Sequence, residues 1–174
     1  GMRGADGAIE HAHLVDGKLE CKVIGGGRPT GICGSGLIDI IACLLDAGVI
    51  DESGKLLENP RVVQIDENTK KAYLLADPLE SGDGKPVYLS QKDIREVQLA
   101  KGAIAAGIAL LAEQMGITLE QVEQVYIAGA FGNYMDPAGA CRIGMLPGIL
   151  KDRIIPVGNA AGEGAKLALL NKEE

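Results

Sequence analysis

Two glycine turns that contain asparagine carry the clearest chemical signal in this sequence. One is Gly129-Ala130-Phe131-Gly132-Asn133, the other begins at Gly158-Asn159, and each follows a short apolar run. Glycine lets a backbone lie flat against a planar or phosphorylated ligand, and an asparagine amide can bond to a ribose hydroxyl or cap a helix. Two such turns at one edge of a sheet favour a nucleotide pocket over turns that serve packing alone.

A third glycine-rich run, Gly34-Ser35-Gly36, opens a periodic apolar segment that predicts a helix ending near Gly48. The first N–H groups of a helix are unpaired and can receive an anion. The spacing differs from the G-x-G-x-x-G dinucleotide fingerprint, so we do not expect a Rossmann fold. A loop that needs glycine for close packing explains this run equally well.

The elements that must position the two turns are predicted from the apolar runs before them. Val125–Ala128 predicts a buried strand and Ile154–Val157 predicts another, with helices starting near Asp136-Pro137 and at Ala160. This order is typical of an α/β fold with parallel strands. Ligands of such sheets bind beyond the carboxyl ends of the strands, where both turns fall.

A hairpin and a long helix are predicted upstream. Ala8–Val15 alternates in polarity and reaches a second alternating run through Asp16-Gly17, a pair that favours a type I′ turn. Ser90 predicts the start of a helix that runs to about Met115. Its expected inner face is Ile94, Val97, Ala100, Ile104, Ile108 and Leu111. Glycines 102 and 107 each lower the stability of a helix by about 1 kcal/mol relative to alanine, which indicates that another backbone packs closely there. We expect residues 51–88 to form a polar surface excursion or a small lobe, and we expect the chain, residues 1–174, to form one domain.

Metal and nucleophile chemistry is poorly supported. His11 and His13 share one strand face, and we favour partly wet strand residues over a metal site. The four cysteines contain no C-x-x-C pair, so no metal site is expected. Ser35 and Cys33 have no identifiable partner, and no residue is assigned as catalytic.

Composition excludes several classes of protein. The chain has 174 residues, 24 acidic and 17 basic side chains, a formal charge of −7 and 47% apolar residues. This content argues against disorder, and the acidic balance with few aromatic residues argues against nucleic-acid binding. No uncharged run is long enough for a membrane span, and we expect a cytoplasmic protein with reduced thiols.

Four separated runs resemble one family. The chain is similar to the C-terminal part of the reductive activators of corrinoid proteins, which have an actin-like, ribonuclease H-like fold of the acetate and sugar kinase, heat-shock chaperone and actin (ASKHA) superfamily. In that family a ferredoxin domain with a 2Fe-2S cluster precedes an ATPase region, and the protein returns cobalt(II) corrinoid to cobalt(I). The runs that carry the resemblance are Met2–Ile9, Gly31–Asp39, Gln98–Ile104 and Ile127–Tyr134.

The resemblance also implies roles for individual residues. Gly129 to Asn133 resemble the adenosine loop of the superfamily, and Gly158, Asn159 and Gly162 match a second glycine turn beside it. Gln98 and Lys101 occupy positions where related folds place polar groups against the adenine, although a solvated surface role suits Lys101 equally well.

Departures from the family pattern limit what this chain is expected to do. It has neither the D-x-G-T type loops that hold phosphates and Mg²⁺ nor the four ferredoxin cysteines. We therefore expect it to supply the nucleoside side of an ATP site and to be inactive alone. Its expected partners are a corrinoid protein and the upstream ferredoxin and ATPase segments, and an open sheet edge predicts a homo-oligomer of the isolated chain. A non-catalytic module that docks a corrinoid protein and a small-molecule kinase lobe remain as alternatives.

Overall fold

The N-terminal hairpin has the predicted geometry. The computed structural model describes residues 1–65, 67 and 71–171, with the backbone alone at 130 and 131. Strand β1 (Ala8–Val15) pairs antiparallel with β2 (Lys18–Val23), and the turn residues Asp16 and Gly17 have φ of 49° and 74°. Both angles are positive, as a type I′ turn requires. The short strand β3 (Gly31–Ile32) pairs parallel with the start of β1.

Helix α1 (Gly34–Asp46) packs directly on this hairpin. It buries Ile38, Ile40 and Leu44. Gly36 permits the close approach, because a Cβ at this position would lie 2.8 Å from the carbonyl carbon of Ile9. The packing explanation of the third glycine run therefore holds for Gly36.

A second, antiparallel sheet contributes to the same core. It consists of β4 (Val62–Val63), β5 (Ala72–Ala76) and β6 (Val87–Ser90), in that order. Its side chains Tyr73 and Leu89 are buried in the cluster that contains Ile40. Positions 66 and 68–70 of the expected excursion lie outside the described residues.

Helix α2 (Gln91–Met115) begins and ends as its sequence predicts. Ser90 and Asp93 form a reciprocal capping box, and Gly116 ends the helix with φ of 65°. The expected inner face is wrong in part: Ile94 is the single buried residue of this fully described helix, and Val97 and Ile108 are partly buried against the core. The exposed fractions of Ile104 and Leu111 are 43% and 61%. No described atom lies within 4 Å of a Cβ built at glycines 102 or 107, so the expected close backbone is also not found in the described part of the chain.

The C-terminal part contains the predicted parallel pair. Strands β7 (Val125–Ala128) and β8 (Ile154–Gly158) are parallel, and the helices that follow them are α3 (Ala130–Tyr134), α4 (Pro137–Arg142) and α5 (Ala160–Leu170). Asp136 caps α4 through the N–H groups of Ala138 and Gly139, which explains the helix start at Pro137. The expectation that β7 is buried is wrong, because Tyr126 is 61% exposed.

Nothing in the described range has the helix length and apolar character needed to cross a bilayer.

Candidate functional site

The two glycine turns meet at one edge of the parallel sheet. The N–H group of Gly129 donates a hydrogen bond of 2.6 Å to the carbonyl of Gly158, and Ala128 pairs with Gly158 in the strand register. The two glycines have φ of 102° and 63°, in the region that favours residues without a Cβ. The predicted common edge is therefore confirmed, and it presents bare backbone from both strand ends.

The asparagines of the two turns have different roles. Asn133 is exposed, and its amide lies 3.2 Å from the position of a Cβ on Gly158, so it reaches from the first turn to the second. Asn159 instead accepts a hydrogen bond of 3.1 Å from the N–H of Gly162 and caps α5. Of the two functions that the sequence leaves open for asparagine, Asn159 performs the capping one, whereas Asn133 is exposed beside Gly158 and its binding role stays a prediction.

Gly132, a further residue of the first predicted turn, lies close to the backbone of the strand before it. Gly132 is buried, and a Cβ there would lie 3.2 Å from the carbonyl oxygen of Ile127. The side chains of Ala130 and Phe131 lie outside the described atoms, so their predicted part in binding stays a prediction.

The start of α1 borders a cleft of about 470 Å³. Ser35 is buried and donates a 2.8 Å hydrogen bond to the carbonyl of Glu10, so its hydroxyl has a structural partner. Within the described residues, no side chain caps α1 at Cys33. The cleft is also lined by Gly34, Arg3 and Tyr134.

Tyr134 links this cleft to the glycine edge, because it is the last residue of α3, the helix that starts inside the first turn. Its side chain is 57% exposed. Arg3 brings a positive charge to this cleft, and the Glu10 carboxylate, which is paired with Lys22, lines it as well. Sequence reasoning did not assign these two residues, although both lie in the runs that resemble the activators.

Gln98 and Lys101 are engaged elsewhere in the fold. The Gln98 amide donates a 2.9 Å hydrogen bond to the carbonyl of Ser53, and the Lys101 ammonium donates one of 2.6 Å to the carbonyl of Ile143. Gln98 thus contacts the 51–54 loop and Lys101 contacts the residue that follows α4, and neither of these hydrogen bonds involves the glycine turns. Their part against an adenine stays a prediction.

A buried carboxylate, Asp39, is a feature that sequence reasoning missed. Its Oδ2 lies 3.0 Å from Nδ1 of His11 and accepts a 3.3 Å hydrogen bond from the N–H of Ala12. Its Oδ1 has no hydrogen-bond partner in the described part of the chain and lies 3.2 Å from the Cβ position of Gly139. Burial raises the pKa of Asp39, with Asp136 adding to the effect. The signal that could have found it is an aspartate between the apolar residues of a buried helix face.

Asp39 is also the partner of the His11 side chain. The imidazole faces a carboxylate, and among the described residues no group of three or more His, Cys, Asp or Glu side chains is placed to hold a metal ion. Asp39 and Cys43 line a second cleft of about 540 Å³ between β1, α1 and α4. Burial raises the pKa of Cys43 to about 11, so this thiol is protonated and weakly nucleophilic at neutral pH.

The hairpin, the packed helices and the parallel strands with glycine turns define an α/β lobe of the actin-like class. The chain belongs to the family of reductive-activator C-terminal domains: the family described as "C-terminal domain of RACo the ASKHA domain" matches residues 1–174.

Individual relatives agree with this family. The chain is 42% identical over 182 residues to the corrinoid activation enzyme RamQ of Eubacterium limosum, covering 100% of this chain and 31% of the relative. It is 30% identical over 164 residues to the Co(II) methylated amine-specific corrinoid protein reductase of Methanosarcina barkeri, covering 94% and 26%. A solved reductive activator for corrinoid, iron-sulfur protein superposes with a TM-score of 0.89 at 38% identity, covering 99% and 28%. The chain thus spans about a third or less of each relative.

Proposed function

We propose that this chain is the nucleoside-binding part of an ATP-dependent reductive activator of corrinoid proteins. The observation that carries the proposal is the hydrogen bond between Gly129 and Gly158, which holds both glycine turns at one sheet edge. The relatives support it, because they are named for corrinoid activation and for reduction of a Co(II) corrinoid protein.

The residues at this edge fit a nucleoside. Gly129 and Gly158 leave the backbone open to a flat ring, and the exposed Asn133 amide can donate to or accept from a ribose hydroxyl. The start of α1 and Arg3 line the cleft that Tyr134 also borders, and the first N–H groups of a helix favour negative charge. When bound, ATP supplies the binding energy that selects one arrangement of the activator. This chain's part is to hold the nucleoside in place.

The remaining parts of the reaction belong to the complete activator. The loops that hold phosphates and Mg²⁺ and the 2Fe-2S cluster are assigned to segments beyond this chain. We therefore expect no reduction by the isolated chain, and we place the complete activator in the cytoplasm.

We also propose that the isolated chain self-associates through the edges of the parallel sheet. Within the described residues, no third strand pairs with β7 or β8. Unpaired strand edges favour pairing with another chain. A monomeric mass in light scattering at high protein concentration would contradict this association.

The nucleoside site is tested with Asn133→Ala in the complete activator. Binding of a fluorescent ATP analogue and ATP-stimulated reduction of the corrinoid protein are measured. Asn171→Ala is the matched control, because Asn171 is an exposed asparagine at the end of α5. We expect Asn133→Ala to lower the affinity about tenfold, as the loss of a site hydrogen bond does, and Asn171→Ala to leave it unchanged.

Equal affinities in the two variants would reject the glycine edge as the nucleoside site. Capture of the corrinoid protein with the same affinity in the presence and absence of ATP would instead favour a non-catalytic docking module.

A further inference from the structure

The second half of α2 carries large apolar side chains that the described residues leave exposed, although Ile108 packs partly against the core. Leu99, Leu110, Leu111 and Met115 are between 57% and 71% exposed. Between residues 99 and 112, Lys101 is the single charged residue, and it is bound to the carbonyl of Ile143. A helix that is apolar on most of its surface is normally buried in a larger core.

The parallel sheet has an uncovered apolar face of its own. Tyr126 and Ile155 are register partners, and Val157 lies two residues further along β8, where the strand register shifts. Their exposed fractions are 61%, 37% and 38%. Parallel sheets occur almost exclusively with both faces covered, and two strands alone are marginally stable.

The C-terminal helix repeats this pattern. In α5 no residue is buried, and Leu167, Leu169 and Leu170 are 70%, 85% and 75% exposed. Large apolar patches of this kind mark interaction sites. A membrane surface is a poor match for α2, because interfacial helices carry a strongly basic polar face and the 99–115 segment contains one basic residue.

We propose that the exposed apolar surface of α2 and the open face of β7–β8, together called the apolar faces, are covered by the polypeptide that precedes this domain in the complete activator. The inference rests on the proposed place of this chain in a longer protein. The family defines this region as a C-terminal domain, and about two thirds of RamQ lies outside the matched part.

Two glycines of α2 indicate how closely the covering segment packs. A Cβ at Gly102 or Gly107 would meet no described atom within 4 Å, so neither glycine is required by the contacts within this domain. Each costs about 1 kcal/mol against alanine in a helix. A backbone that packs directly against α2 in the complete protein supplies the missing reason for both.

The test measures the reactivity of engineered thiols in the complete activator. Leu111→Cys and Val157→Cys report on the two apolar faces, and Leu79→Cys is the control, because Leu79 is 83% exposed on a loop outside both faces. Maleimide labelling is followed peptide by peptide by mass spectrometry, which separates the new thiols from Cys21. We expect labelling at least tenfold slower at positions 111 and 157 than at 79, at every protein concentration.

Equal labelling rates at all three positions would overturn the proposal. Protection that disappears when the protein is diluted to a monomer would also overturn the proposal, because a second copy of the protein would then cover the apolar faces. If a cysteine variant does not fold, hydroxyl-radical footprinting of Met115 against Leu79 in the unaltered protein gives the same comparison. The labelling needs no nucleotide, so its outcome does not depend on whether the protein binds ATP.

Discussion

The two regions of this domain differ in how their apolar residues are covered. The six largest fully buried side chains in the described chain are Ile9, Ile40, Leu44, Leu56, Leu89 and Ile94, and all precede residue 95. After this point lie the exposed apolar residues of α2, β7, β8 and α5. The hairpin, α1 and the second sheet therefore supply most of the core, and buried residues of the 135–146 segment such as Met135 and Ile143 join it, whereas α2, β7–β8 and α5 carry apolar residues with an incomplete cover.

This difference connects stability with function. A nucleotide site needs accessible backbone. If ATP selects one arrangement of the activator, some elements must also be able to shift, and such elements come from the less stable parts of a fold. In this chain Ile127 of β7 and Ile154 of β8 are only partly buried at the border of the core, while α3 and α4 connect the two turns to α1. Mutations should therefore separate into those that unfold the core and those that change the edge without unfolding it.

The largest expected effect is in the core. Leu44→Ala removes a side chain that is 1% exposed, and should lower the free energy of unfolding by about 2–5 kcal/mol through lost burial and a cavity. Leu111→Ala, at 61% exposure, should change it by about 0.5 kcal/mol or less. Urea unfolding of the isolated chain compares the two. Similar losses for both variants would contradict the division into two regions.

Glycine substitutions sharpen the same comparison. Gly36→Ala should destabilise the chain by about 1–3 kcal/mol, because the new methyl would overlap the Ile9 carbonyl. Gly102→Ala is the matched control in an open part of α2 and should stabilise the isolated chain by about 1 kcal/mol. Thermal unfolding measured by circular dichroism shows whether each substitution raises or lowers the stability of the chain. A loss of stability in Gly102→Ala would show that α2 is packed within this domain.

Local signals made most of the elements predictable. Asp16-Gly17 fixes the hairpin turn, Ser90 with Asp93 fixes the start of α2, and Asp136 fixes the start of α4. The common edge of the glycine turns also followed from the sequence, because parallel strands end on the same side.

Features that depend on distant partners were not predictable. The inner face of α2 was predicted from its periodicity, but periodicity does not tell whether the covering element belongs to this domain. Asp39 pairs with His11 across 28 residues, a contact that only the packing of α1 on the hairpin creates. Gln98 could not be placed from its position on α2 alone, because its partner is a carbonyl of the 51–54 loop.

The two asparagines of the glycine edge provide a smaller contrast. Asn159→Ala removes the cap of α5 and should lower the free energy of unfolding by about 1 kcal/mol. Asn133→Ala removes an exposed side chain and should change it by about 0.5 kcal/mol or less. Chemical unfolding of both variants is the measurement. A cost at Asn133 equal to that at Asn159 would mean that Asn133 is structural, which would weaken its assignment to the nucleoside.

The smallest expected effect is a pH dependence centred on Asp39. Because the pKa of this carboxyl is raised above its usual 3.8 in the folded state, the folded protein holds the proton more tightly than the unfolded chain. The contribution of Asp39 to stability therefore falls as pH rises from about 3.8 through the folded pKa, and stays low above it.

Asn cannot ionise, so Asp39→Asn should remove this contribution. The stability of the variant relative to the unaltered chain should rise across the same pH window and then level off, as measured by urea unfolding at a series of pH values. The ionisable groups beside Asp39 are His11, Asp136 and Cys43, and a His11→Asn control separates the imidazole from the carboxyl. A relative stability that falls with rising pH would mean that Asp39 is stabilised as the anion. Its unpartnered oxygen would then need a hydrogen-bond donor or cation in the folded protein.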